Sequence, residues 1–136
     1  MDEVVRLELP AAIPSINRVY GRHWSAKHKQ RKQWGWMIRA ALLEASSDPA
    51  GKTALAALRA HVVSMGRVSV RVETWRPRRI DETNCQAGFK SAEDALKAEG
   101  LIVDDHPKWI DRAVRQHIGA PRTVIELRLI RDPIAV

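Results

Sequence analysis

The 136-residue sequence predicts an α+β fold, a mixed β-sheet with helices packed against it, in a single domain covering residues 1–136. Two patterns carry that expectation. Three segments alternate apolar and polar residues with the period of a half-buried strand: Val5, Leu7 and Leu9, then Val68, Val70 and Val72, then Ile125, Leu127 and Leu129. Between them, two stretches repeat apolar residues at helical spacing: Trp34, Met37, Ile38, Ala41 and Leu42, and then Cys85, Phe89, Ala92 and Leu96. Strands and helices mixed in this order, with no internal repeat, low-complexity tract or linker, give helices layered on one sheet.

Taken in order, the first strand ends at Pro10, and Pro14-Ser15-Ile16-Asn17 reads as a loop. Asn17, Arg18, Arg22 and His23 gather in and after that loop, and each can reach a phosphate. Ser25 is a plausible cap for the first helix, which ends near Ala45. Lys27, Lys29, Arg31, Lys32 and Arg39 make its outer surface basic, and Trp36 falls opposite Trp34. Trp36 is open to two readings, a stacking or dimer contact and a half-exposed tryptophan without a role. Residues 46–51 are a loop by composition. Leu55 to Val63 is ambiguous, though its alanines favour a short helix. The strand Val68–Val72 leads to Arg76, Pro77, Arg78 and Arg79. After the second apolar stripe, Trp109–Ile118 reads as a strand, Gly119-Ala120-Pro121 as a turn, and the chain closes on the strand around Ile125.

Charge and cysteine content narrow the function. The net charge is +7, from 23 Lys and Arg against 16 Asp and Glu, which favours a polyanionic partner. The one cysteine, Cys85, excludes an intramolecular disulfide and a cysteine-rich zinc site. Met-Asp-Glu-Val at the start has neither the basic nor the apolar region of a signal peptide, and no apolar run approaches the ~18 residues of a membrane span. The expectation is a cytoplasmic protein with no membrane partner. The five histidines lack zinc-ligand spacing, and phosphate-binding glycine loops and the Gly-x-Ser-x-Gly elbow are missing.

The chemistry concentrates between Arg76 and Asp105. Arg78 and Arg79 are followed by Asp81, Glu82 and Asn84, then by a helical stretch carrying Lys90, Glu93, Asp94 and Lys97. Thr83 or Asn84 is the expected cap, and Gly100 the expected C-terminal stop. Gly88 inside the helix points to close packing. The apolar triplet Leu101-Ile102-Val103 then delivers Asp104 and Asp105, and a fold-back after Gly100 would return them towards Asp81. Carboxylates at both ends of one helical loop, with arginines beside them, suit a divalent metal and a phosphate diester.

These residues resemble the RusA-like Holliday junction resolvases. The family core runs from basic residues through Asp-x-Asp-Asn, a Lys four residues before Asp-Ala-Leu, and a Gly, to Asp-Asp. Here the series is Arg78-Arg79, Asp81-Glu82-Thr83-Asn84, Lys90 before Asp94-Ala95-Leu96, Gly100 and Asp104-Asp105. Near the N-terminus, Leu9-Pro10, Pro14-Ser15-Ile16-Asn17-Arg18 and Tyr20 match a second family motif, so the resemblance covers nearly the whole chain. It implies a RusA-like fold, a homodimer, and Mg²⁺-dependent endonucleolytic cleavage of four-way DNA junctions in recombination and repair. The implied catalytic residues are Asp81, Lys90 and Asp105. The metal ligands would come from Asp81, Asp105, Glu82 and Asp104, and the DNA contacts from Asn17, Arg18, Arg22, Arg78, Arg79 and Asn84. Two departures stand out. Thr83 occupies the place of the second acid, and the stretch from Asn84 to Lys90 is longer than in the shortest family pattern. Glu82 or Asp104 would then stand in for the missing acid. Two rival readings remain: a DNA-binding protein of this fold with weakened or lost catalysis, and a basic structural module.

Overall fold

The computed structural model describes residues 4–14 and 24–131. Asn17, Arg18, Arg22 and His23 lie outside those residues. The elements in chain order are β1 (Val4–Leu9), α1 (Trp24–Ala45), α2 (Pro49–Val63), β2 (Arg67–Arg76), α3 (Glu82–Gly88), α4 (Lys90–Ala98), β3 (Ile110–Ile118) and β4 (Arg122–Ile130). The strands form one mixed sheet in the order β1-β4-β2-β3. β4 is antiparallel to both β1 and β2, whereas β2 and β3 run parallel. A parallel neighbour cannot be reached by a tight hairpin, so the chain crosses over, and α3 and α4 make that crossover.

Register explains which face is covered. Leu7 pairs with Ile125, Ile125 with Val72, and Val72 with Val114, so one row of side chains crosses all four strands on the same face. All four are buried. Trp34, Ile38 and Leu42 of α1, Leu55 and Leu58 of α2, and Phe89 and Leu96 at the crossover close over that face. The opposite face is paired charge: Arg6 with Glu126, Arg128 with Glu126, Arg71 with Asp111. An alternating strand with one face in water has this composition.

Local signals account for most boundaries. Asp48 caps α2 by accepting from the Gly51 amide at 2.6 Å, and Pro49 occupies the first turn, where its missing N–H costs nothing. The expected loop over 46–51 therefore ends at Asp48, and Leu55 to Val63 is helical. α1 begins at Trp24, which puts Ser25 inside the helix rather than at its cap.

The central stretch differs from the single helix expected. It forms two helices, broken at Phe89, which stays in the right-handed region but with a ψ of -9°, well off the ideal helical value of about -42°. The cap is Asp81, just ahead of the expected Thr83 or Asn84: its carboxylate accepts from the amides of Thr83 at 2.8 Å and Asn84 at 3.3 Å. The apolar stripe survives the break, with Cys85, Phe89, Ala92 and Leu96 all buried. Gly88 has a clear reason to lack a side chain. A Cβ there would lie 1.8 Å from the Pro14 carbonyl oxygen, a collision that outweighs the ~1 kcal/mol a helical glycine costs. Gly100 stops α4 with φ of 74°, the left-handed conformation glycine adopts freely.

Arg76 is buried. Its guanidinium donates to the Ile13 carbonyl and lies 3.9 Å from the Cys85 sulfur, while the Ile13 amide donates to Thr74 Oγ1 at 2.9 Å. Arg76 Nε is the one buried side-chain nitrogen or oxygen among the described residues that lacks a hydrogen-bond partner. This arginine ties the chain after β1 to the sheet and to α3, so it is not part of a surface cluster with Arg78 and Arg79.

Candidate functional site

The crossover lies along β3. Ile80 and Gln116 exchange hydrogen bonds of 3.1 and 2.9 Å, Gln116 also donates to Glu82 at 3.1 Å, and Gln86 donates to the Val114 carbonyl at 3.2 Å. The start of α3 thus sits beside Gln116, and its later turn beside Val114. One step further along, α4 faces Arg112. Here a cavity of about 780 Å³ opens, lined by Lys90, Glu93, Asp105, Arg112, Gln86 and Asp111 among others.

Two ion pairs frame the cavity. The Lys90 ammonium bonds to the Asp105 carboxylate and lies 3.3 Å from Asp94. Asp94 in turn meets Arg31 of α1 at 3.7 Å. The bond to Asp105 is the main reason that the Lys90 ammonium holds its proton more firmly than an ordinary lysine. The second pair joins Arg112 to Glu93, whose carboxylate is only 3% exposed. Burial pushes the Glu93 carboxyl above the usual range; Arg112 opposes that shift, and the nearby Asp105 adds to it.

The residues expected from sequence divide into two groups. Lys90 and Asp105, both named by the resemblance, come together. Asp104 follows a different course, taking the Asp105 amide at 2.8 Å and Lys97 at 3.2 Å, and those hydrogen bonds hold its carboxyl below the usual range. Asp81 stands at the far end of α3. The helical path from Glu82 to Lys90 rises on the order of 10 Å, and Asp81 does not line the cavity. Its carboxylate caps the helix, while Glu82 is engaged by Gln116 and lies 3.9 Å from Arg79. The fold-back after Gly100 delivers Asp105 to Lys90. Arg78 and Arg79 are exposed just before α3. The side chain of Asn84 is half-buried within α3.

Glu93 and Arg112 are functional candidates that the motifs alone do not single out, and both carry a signal. Glu93 is four residues after Phe89 and three before Leu96, which puts a carboxylate on the edge of the buried stripe. Arg112 shares its parity on β3 with Ile110 and Val114, so it points to the covered face. A charged residue at an inward position needs a partner, and Glu93 supplies it.

Among the described residues, no three His, Cys, Asp or Glu side chains stand close enough to hold a metal ion together. Magnesium needs fewer, because it keeps several waters and is bound through one or two carboxylates plus phosphate oxygens. Asp105, a hard oxygen donor opening on a cavity, fits that requirement. No helix among the described residues is long and apolar enough to cross a membrane. Compared with protein-family models and with curated proteins, the chain matches none.

Proposed function

We propose that this protein is a Mg²⁺-dependent endonuclease that cleaves branched DNA, resolving Holliday junctions as a homodimer. The observation that carries the reading is the pairing of Lys90 with Asp105 at the mouth of the cavity, in the order and spacing of the resemblance. Two symmetric nicks on a four-way junction call for two sites, which a twofold dimer provides. Asp105 would hold the ion, with Asp81, Glu82 and Asp104 as the remaining candidate ligands. When bound, Mg²⁺ supplies charge relief on the diester and activation of water. The chain's own groups do the rest. Lys90, released from Asp105, meets the scissile phosphate with a compact charge and three donors. Arg112 borders the same space. Arg78 and Arg79 hold the flanking backbone, and Asn84 orients the turn of α3 above it.

One rival of the same fold is favoured by specific observations. Thr83 stands where the resemblance expects an acid, and Asp81 is engaged as a helix cap. Such a protein would bind junctions without cutting them. Incubating the protein with a labelled four-way junction and Mg²⁺ separates the two: paired nicks establish the nuclease, and binding with no nick establishes the rival. Neutralising Arg78 and Arg79 to Gln tests the DNA surface in either case. The slope of log affinity against log salt should flatten by about 0.9 for each phosphate that the protein no longer neutralises. An unchanged slope would take both arginines off the DNA.

A further inference from the structure

α1 buries Trp34, Ile38, Ala41 and Leu42. At 100° per residue Trp36 lies diametrically opposite that stripe, and it is 72% exposed. A single exposed apolar side chain is ordinary on a protein surface; what sets Trp36 apart is the basic surface around it. Lys29, one heptad before Trp36, and Lys32, one turn before it, share its outward face, and both are exposed. Neither has an ion-pair partner among the described residues. Leu43, also 72% exposed, is two turns further on, beside Glu44 and outside the basic segment.

Charge decides between the partners such a face could take. Before Glu44, α1 contains Lys27, Lys29, Arg31, Lys32 and Arg39 and no acid. A second copy laid on this face would oppose like charges. A polyanion with flat apolar groups matches both the ammonium groups and the indole. Unpaired nucleotides have that chemistry, since every base offers a stacking face and every link a phosphate. Asp94 joins Lys90 at the cavity to Arg31 on α1, and Trp36 lies five residues, about 7.5 Å, further along the helix and about 140° around it, so a strand leaving the cavity reaches the indole by wrapping round α1.

We propose that Trp36, Lys29 and Lys32 form a contact for unpaired DNA, in which the indole stacks on an exposed base and the two lysines hold the adjoining phosphates. This rests on the reading of the chain as a branched-DNA protein and extends the bound strand from the cavity onto α1. It also explains the exposure of the tryptophan, because stacking needs one free face of the ring. The contact selects strand openings over continuous duplex, whose bases are already stacked on one another.

The test uses a single-stranded oligonucleotide with one 2-aminopurine, a blunt duplex of the same sequence and a four-way junction. Wild-type protein should alter the 2-aminopurine fluorescence on binding. Trp36→Ala should abolish that change and weaken single-strand binding about tenfold or more, while duplex binding holds. Trp36→Phe should restore most of both, which a merely structural role for the indole would not predict. Lys29→Gln with Lys32→Gln should flatten the salt dependence and keep the fluorescence change. Single-strand affinity unchanged in Trp36→Ala overturns the proposal. So does loss of self-association in that variant with the affinity of each protomer intact, which would assign the face to a second copy. Trp36-dependent binding without junction nicking would uphold this contact and refute the nuclease. Nicking with no effect of Trp36→Ala would do the reverse.

Discussion

Asp105→Asn should reduce junction nicking at least about a hundredfold, the scale on which removing a group that stabilises transition-state charge is felt. The substitution keeps the size and hydrogen-bonding shape of the side chain. It removes the negative charge that would hold Mg²⁺ and that now engages Lys90. Folding should survive, because an ion pair this exposed is worth about 1 kcal/mol or less and Lys90 retains Asp94. Junction binding should hold or tighten, since one negative charge near the phosphates has gone. Asp81→Asn makes the companion case. Asparagine caps a helix about as well as aspartate, so α3 should stay intact and any loss of nicking would report chemistry, not folding. The nicking rate against Mg²⁺ concentration is the measurement for both. Full activity in both variants would move the site away from the central stretch altogether.

How much of this was legible in the sequence depends on the range of the interaction involved. Period-2 segments located β1, β2 and β4, because burial of alternate residues is written locally. Gly100 announced the end of α4 for the same reason: its left-handed φ is a property of one residue. The stripe Cys85, Phe89, Ala92 and Leu96 was legible even though the helix carrying it is broken, because one residue of altered ψ hardly rotates the face. Gly88 marked close packing, but its partner, the Pro14 carbonyl, is a contact between distant parts of the chain that no local pattern names. Strand order is equally non-local, so the parallel pairing of β2 with β3 was not legible. It matters for the site, because the crossover it requires runs α3 and α4 back along β3. That course sets Asp81 beside Gln116 and carries Lys90 to the Arg112 end. The capping role of Asp81 was not legible: it stood out as a ligand by type, and an aspartate before a helix has a second use, accepting from open amides.

Arg112→Ala should destabilise the fold by about 3–5 kcal/mol, more than any surface charge in the protein, because it leaves a buried carboxylate without its cation. Glu93 is 3% exposed, and Arg112 bonds to it directly. The loss should depend on pH, with a sign fixed by the raised Glu93 pKa. Between the usual glutamate value and the raised one, the folded state holds more proton than the unfolded state. Stability therefore falls as pH rises through that window and levels off above it. Removing Arg112 takes away the group that opposes the shift, so the window should widen upward, with a smaller deficit in acid than at neutral pH. Glu93→Gln should flatten the dependence in the wild-type background, and Glu93→Gln with Arg112→Ala should recover part of the stability lost by the arginine variant alone. Urea midpoints from pH 4 to pH 8 read all three. A deficit for Arg112→Ala that is equal across that range and no larger than about 1 kcal/mol would mean that the Glu93 carboxylate is hydrated. The pair would then be a weak surface bridge, and Arg112 would be free to leave Glu93 for a phosphate in the cavity at little cost to the fold.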